Sequence, residues 1–418
     1  MIPALRGLSA HRYLLIFGFV MVFLSGHGQT FLISLYGGEL RATFDLSNAE
    51  FGGLYSFATL MSGLLVIFLG RGVDRLRLDR FTAAVILGAA LGGLLLALAP
   101  AAWVLVPAFL LLRLCGQGLM THVAQTTVGR RVQHRRGTAM SLVTLGFPVA
   151  EAILPMSVVA LIAALGWRGS WFLLAFLLVA VALPLVLMLL RVETRVAMRE
   201  AELVAPMTSE TPPEPETMGR DWTRSEVLLD GRFYRILPAL LGPPILITAL
   251  FFHQVPIAEA KGWSLTLVSA AFTAYATTHV LSLLLSGPVV DRLGARRLLA
   301  FYLLPLLLGI GVMGFVPGAL AAPLYLGLAG LSIGTAGTLM GALWPELYGL
   351  RHLGGIRAMA HGAMVLGTAA GPVLIGLLLD AGLTVQSLAW LMIAYLVAAI
   401  LLVRPVAFAS PPARSAPR

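Results

Sequence analysis

The chain has 418 residues, 59% of them hydrophobic and only 11% charged, with a mean hydropathy of +0.91. A soluble protein carries about 25% charged residues, so most of this surface faces lipid, and the length bounds a number of membrane spans rather than the size of a water-excluded core. The net charge of +10 comes from 28 Arg and one Lys (Lys261) against 19 acids, set in short loops between apolar segments; that is charge of membrane topology and excludes a nucleic-acid partner.

A bilayer core of about 30 Å takes about 20 apolar residues per helix. Segments of that kind fall at 12–36, 50–70, 81–99, 102–127, 138–165 and 168–191, and again at 234–259, 264–289, 297–316, 319–343, 357–379 and 383–407. Arg6 and Arg12 precede the first, which is too long for a signal-peptide core and is read as a retained span. The sequence therefore predicts an all-α membrane protein of twelve transmembrane helices. The loops on one side, with both termini, hold 25 Lys and Arg; the opposite loops hold Arg41, Arg168 and Lys261. The positive-inside rule then places both termini in the cytoplasm, and the Arg-rich, Lys-poor usage points to a bacterial inner membrane. Residues 1–191 are expected to form one six-helix bundle and 233–407 a second. Between them, 192–232 carries Thr211-Pro212-Pro213-Glu214-Pro215-Glu216 and reads as a flexible cytoplasmic linker. Residues 408–418 form a tail. The single cysteine, Cys115, lies in an apolar run, so no disulfide framework exists within one chain.

Short motifs repeat at half the chain length. Gly70-Arg71-Gly72-Val73-Asp74-Arg75 follows span 2, and Gly287-Pro288-Val289-Val290-Asp291-Arg292, continuing Leu293-Gly294-Ala295-Arg296-Arg297, follows span 8, about 217 positions later. Arg136-Gly137-Thr138-Ala139-Met140 opens span 5, and Arg357-Ala358-Met359 opens span 11. Span 4 carries Arg113-x-x-Gly116-Gln117-Gly118; span 11 carries Gly371-Pro372, and span 5 Gly146-Phe147-Pro148. Across the whole chain this set resembles the major facilitator superfamily of secondary transporters, and more loosely its monocarboxylate porters. The second loop matches the family's G-x-L-x-D-R-x-G-R-R pattern closely. The first departs from it, with Arg77 where Gly is usual and Asp79 where a basic residue is usual. Span 8 lacks the Asp/Arg pair found in the monocarboxylate porters. The resemblance implies two pseudo-twofold six-helix halves, a monomeric transport unit, and a gating role for Asp74 and Arg75 and for Asp291 and Arg292. Glu346, in Pro345-Glu346-Leu347-Tyr348-Gly349, is a candidate for the same latch.

Ionisable groups at the bilayer centre are costly unless paired or hydrated, and so are functional candidates. Arg113 lies about 17 Å into span 4 and Glu151 about 20 Å into span 5, at 1.5 Å per residue. The two spans run antiparallel, so both side chains reach similar depth, where they either form an ion pair or jointly line the cavity. Arg stays protonated and presents a planar fork that suits a carboxylate; a carboxyl in a low-dielectric cavity can take up and release a proton. The alternative role is a structural salt bridge. Gln117, Thr121 and Gln125 continue the Arg113 face; His27, Thr30 and Ser34 share a face of span 1, Tyr55, Thr59 and Ser62 one of span 2, and Tyr275, His279 and Ser282 one of span 8. Imidazoles titrate near neutral pH, which makes His27 and His279 candidate proton relays. His253 and Gln254 lie in the outer third of span 7 as possible cavity residues.

Nothing in the sequence points to an enzyme, a metal or a cofactor: there is no Walker loop, and the histidines lack metal-ligand spacing. The reading is an alternating-access transporter for a small-molecule substrate, moving a small organic anion such as a carboxylate with protons. Arg113, Gln117, His27, Thr30, Tyr55, Tyr275 and His279 would bind the substrate; Glu151, His27 and His279 would handle the proton. The alternatives are proton-antiport export of drug-like or metabolite compounds and, in another class, a transporter-like receptor or assembly factor.

Overall fold

The computed structural model describes residues 11–132, 136–203, 222–349 and 351–408; within them the side chains of Asp74, Arg136, Gly137, 197–203, Gly354, Ala358 and His361 lie outside the description. Among the described residues the chain is helical, with no strand. Nine helical runs are long and apolar enough to cross a bilayer, and the bent pair Arg12–Gly28 and Thr30–Phe44 makes a tenth. The run Thr138–Val196 serves as two spans, because the chain turns back at Gly166, whose φ of 67° is outside the helical range. The short helix Leu304–Phe315 completes the twelve.

Span 1 is the irregular one. It runs from Arg12 to Leu24, tightens into a 3₁₀ turn at Ser25–Gly28, extends at Gln29 (φ −80°, ψ 151°), and resumes as Thr30–Ile33 and Gly37–Phe44 with a bend of 43°. It therefore reaches eight residues beyond the predicted 36, and Arg41 is carried on its last turn. Span 2 is Asn48–Leu69 and span 3 Leu78–Ala97. Span 4 covers Ala102–Arg131 and contains a π-helical stretch at Leu112–Met120. Spans 5 and 6 flank Gly166, and span 6 continues to Leu203 within the predicted linker. Residues 204–221 lie outside the described residues; after them a capping box of Thr223 and Glu226 starts the short helix Arg224–Leu229.

Span 7 is Gly231–Phe252, broken at His253 and continued by Gln254–Lys261. Span 8 is Leu265–Leu293; span 10, Ala321–Tyr348; span 11, Leu353–Asp380; and span 12, Val385–Ala407. Large apolar side chains such as Ile67, Phe68, Trp103, Leu284, Leu285 and Trp390 are exposed along these helices. That distribution is what a lipid-facing surface requires.

The two halves meet chiefly where span 2 packs on span 11 and span 5 on span 8. We call the side of the loops after spans 2, 4, 8 and 10 the basic face and the other side the far face. Toward the far face, aromatic rings bridge the halves: Phe51 stacks on Phe252 at 4.8 Å, Tyr55 tilts against Phe252 at 4.5 Å, and Phe31 meets Phe272 at 5.9 Å. There also Gln254 donates to the Phe31 carbonyl (3.0 Å) and to the Ser34 hydroxyl (2.7 Å).

Candidate functional site

The site begins with the break in span 1. Gly28 has no room for a Cβ, which would collide with the Leu112 carbonyl and lie 2.6 Å from the Gln117 nitrogen. The backbone of span 1 thus lies directly on the π-helical stretch of span 4. Extending the chain at Gln29 frees carbonyls from the helical ladder, and Arg113 uses one of them. Its Nη1 donates to the Gly28 carbonyl and to the Thr30 hydroxyl, both at 3.3 Å. The guanidinium sits over the Tyr55 ring, 5.2 Å from its centroid, a cation–π contact. The Tyr55 hydroxyl closes the cluster on Thr30 at 2.8 Å.

Arg113 is only 4% exposed, its Nε has no partner, and among the described residues no carboxylate pairs with it. A buried cation held by dipoles and an aromatic face, without a counter-ion, leaves a demand for negative charge. Gln117 is half-buried on the same π-helical stretch, and Thr121 turns its hydroxyl back to the Gln117 carbonyl at 2.7 Å.

Glu151 is not the partner of Arg113. Span 1 comes between them: a Cβ on Gly26 would fall on Leu154 and Ala150 of span 5, while Gly28 rests on span 4. Glu151 instead reaches across to the other half, where its Oε2 lies 2.9 Å from Nδ1 of His279. Tyr275, one turn earlier on span 8, stands edge-on to the His279 ring at 5.8 Å and to Phe251 at 5.1 Å. Of the two arrangements open to Arg113 and Glu151, an ion pair or a jointly lined cavity, the ion pair is not formed, and the two charges fall in separate groups. One is a cation cluster inside the N-terminal half; the other is a carboxylate–imidazole contact between the halves.

The other predicted residues distribute more widely. His27 is buried in the 3₁₀ turn with Nδ1 against the Leu24 carbonyl at 2.9 Å, which stabilises the break in span 1. His253 places Nε2 at 2.7 Å from the Pro372 carbonyl and joins span 7 to span 11 within one half. In the first D-R loop Arg75 is exposed, and the Asp74 side chain lies outside the described residues; Arg77 pairs with Asp79 at 2.9 Å. In the second, Asp291 and Arg292 are exposed at the end of span 8. Glu346 accepts a hydrogen bond from the Ala295 backbone at 2.8 Å, which ties span 10 to the loop after span 8 in the same half.

A cavity of about 590 Å³ opens on the far face between the halves, lined in part by Glu39, Arg41, Glu259 and Trp263; it contains none of the predicted site residues. Two features escaped sequence reading: the pairing of Asp380 with the start of span 2, and the crossing of Gln254 to span 1 as a tie between halves. The sole sequence signal for the first was an acid at a helix C-terminus, where the helix dipole disfavours it.

Two six-helix halves enclosing charged groups near the plane where they meet define a membrane transporter rather than an enzyme. The family model of the Major Facilitator Superfamily matches residues 18–255 and 245–418. The chain belongs to the major facilitator superfamily. No curated protein matches its sequence. Among solved structures it is similar to the nucleoside transporter NupG, with 14% identity and a TM-score of 0.70 over 96% of this chain and 100% of that one. It is also similar to a bacterial homologue of the human lysosomal transporter Spinster in its inward-facing, occupied conformation, with 14% identity and a TM-score of 0.67 over 94% of this chain and 96% of that one. At this identity the likeness shows the fold alone.

Proposed function

We propose that the protein is a proton-coupled secondary transporter of a small organic anion, with a carboxylate as the recognised group, working by alternating access. The observation that carries this reading is Arg113, buried and, among the described residues, without an anionic partner. A permanently charged guanidinium in that position is stabilised by an anion that enters and leaves, and its planar fork favours a carboxylate. Gln117, Thr30 and Tyr55 surround the bound group. Glu151 and His279, which meet across the halves at 2.9 Å, handle the proton.

In this reading the basic face is cytoplasmic, with both termini, in a bacterial inner membrane. Residues 1–191 and 233–407 are the moving halves, joined through 192–232 and followed by a short tail, and one chain is the transport unit. The far face is then the outside, and the ties of Gln254 to span 1 fit a conformation sealed to the outside. The D-R loops, with Asp74, Arg75, Asp291 and Arg292, form the cytoplasmic gate.

The test is a thermal-shift screen of purified protein against small carboxylates, nucleosides, neutral sugars and lipophilic cations. A ligand at 100 times its Kd stabilises by about 2.7 kcal/mol. The reading expects stabilisation by carboxylates that disappears in Arg113→Ala. Stabilisation by cations that survives Arg113→Ala and is lost in Glu151→Gln would replace it with proton-antiport export.

A further inference from the structure

Asp380 ends span 11, where its own helix offers it nothing: the last turn presents carbonyls and partial negative charge. Its partner lies in the other half. The carboxylate accepts hydrogen bonds from the Asn48 backbone (3.1 Å), the Asn48 side-chain amide (2.9 Å) and the Ala49 backbone (2.7 Å). These backbone groups belong to the first turn of the 22-residue span 2, whose leading N–H groups have no acceptor within the helix. Span 2 supplies part of the answer itself: Ser47 and Glu50 exchange bonds in a capping box at 2.9 and 3.1 Å. The two N–H groups left over are those that Asp380 takes, so the N-terminus of a helix in one half is completed by a carboxylate of the other.

The helices approach backbone to backbone below this contact. A Cβ on Gly376 would lie 2.6 Å from the Asn48 carbonyl, and one on Gly52 would lie 2.8 Å from the Pro372 carbonyl. Pro372, Gly376 and Asp380 are spaced four apart and form one stripe of span 11, facing Asn48 and Gly52 of span 2.

We infer that Asp380 is the latch of the outer gate. The inference rests on the alternating-access reading above. Opening the far face must draw span 11 away from span 2. That movement breaks three charge-assisted hydrogen bonds together and uncaps span 2. Because Asp380 is exposed, water replaces the lost partners, and the latch is one that a transport cycle can release. Gln254 is a second tie on the same face, but a neutral one.

The experiment is double electron–electron resonance across the far face. Spin labels go at Thr43→Cys and Ala260→Cys, both exposed, in a Cys115→Ala background. The latch predicts that Asp380→Asn and Asp380→Ala shift population from the short distance to a longer one without any substrate. Asn48→Ala, which removes one of the three bonds, should shift it less. Asp45→Asn, an exposed acid on the same face, should leave the distribution unchanged. If Asp380→Ala fails to fold, Asp380→Asn carries the test, since it keeps the shape while losing the charge and one of the two accepting oxygens. Asp380 variants indistinguishable from the unsubstituted protein, in a sample that does lengthen on adding ligand or changing pH, would overturn the latch alone. A sample that never lengthens under any condition would overturn both the latch and alternating access.

Discussion

Glu151 of span 5 and His279 of span 8 meet at 2.9 Å, Oε2 to Nδ1, and the two residues belong to opposite halves of the molecule. The side chains keep 11% and 14% of their exposure, so the contact is neither fully dry nor open to bulk water. In the proposed transport cycle this contact joins the two halves that move, and a carboxylate–imidazole contact is strongest with the carboxylate ionised and the imidazole protonated. The pair is therefore the place to look for coupling between protonation and movement.

Glu151→Gln is expected to reduce proton-driven uptake by at least about tenfold, equivalent to about 1.4 kcal/mol, and to flatten its dependence on pH. Exchange of labelled for unlabelled substrate, which needs no net proton movement, should survive. Uptake into proteoliposomes under an imposed pH gradient, beside counterflow, reads both. Uptake that keeps its pH profile in Glu151→Gln and in His279→Gln would remove this pair from the coupling mechanism.

Substitution of Arg113 separates charge from geometry. Arg113→Lys keeps the positive charge but loses the planar guanidinium, whose Nη1 donates to both Gly28 and Thr30 and whose remaining N–H groups suit a carboxylate. Ligand affinity should fall by about tenfold or more in Arg113→Lys and be lost in Arg113→Ala. Tyr55→Phe removes the hydroxyl bonded to Thr30 and should cost about 1 kcal/mol, roughly fivefold in affinity. Titration calorimetry of the three variants tests the order, and equal affinity in all of them would contradict an anion site at Arg113.

Gly28→Ala tests the geometry that creates the cluster. The added methyl meets the Leu112 carbonyl, which is backbone and cannot swing aside. Overpacking of this sort costs about 1–3 kcal/mol. The thermal midpoint should fall, and any folded protein should bind ligand poorly because the break in span 1 no longer rests on span 4. Gly53→Ala, where a Cβ meets nothing within 4 Å, is the matched control.

Glu346 distinguishes a gate from a local support. Its carboxylate accepts from the Ala295 backbone within one half, so Glu346→Gln should lower stability by no more than about 1 kcal/mol, the scale of a helix cap. If it also takes part in the gate, the substitution should raise the rate of conformational exchange as well. Melting curves beside single-molecule distance traces separate the two. Unchanged exchange kinetics would restrict Glu346 to holding the loop after span 8.

The sequence by itself determined the membrane class, the two halves and the approximate place of each span, because hydropathy over a span-length window and the sign of loop charge are local properties. It also singled out Arg113 and Glu151, since a charge in an apolar run is conspicuous wherever the chain goes. Local signals failed where glycines rather than hydropathy set the path. The break at Ser25–Gly28 lies inside a stretch that reads as one continuous span, and a π-helical stretch carries no hydropathy signature. The partners were decided by tertiary structure alone. Glu151 finds His279 128 positions away, and Asp380 finds Asn48 332 positions away, because duplication and rotation of two halves bring those helices side by side. Depth in the membrane follows from counting residues, but azimuth around the bundle does not. Span 1, laid between spans 4 and 5, keeps apart the two charges that equal depth had seemed to join.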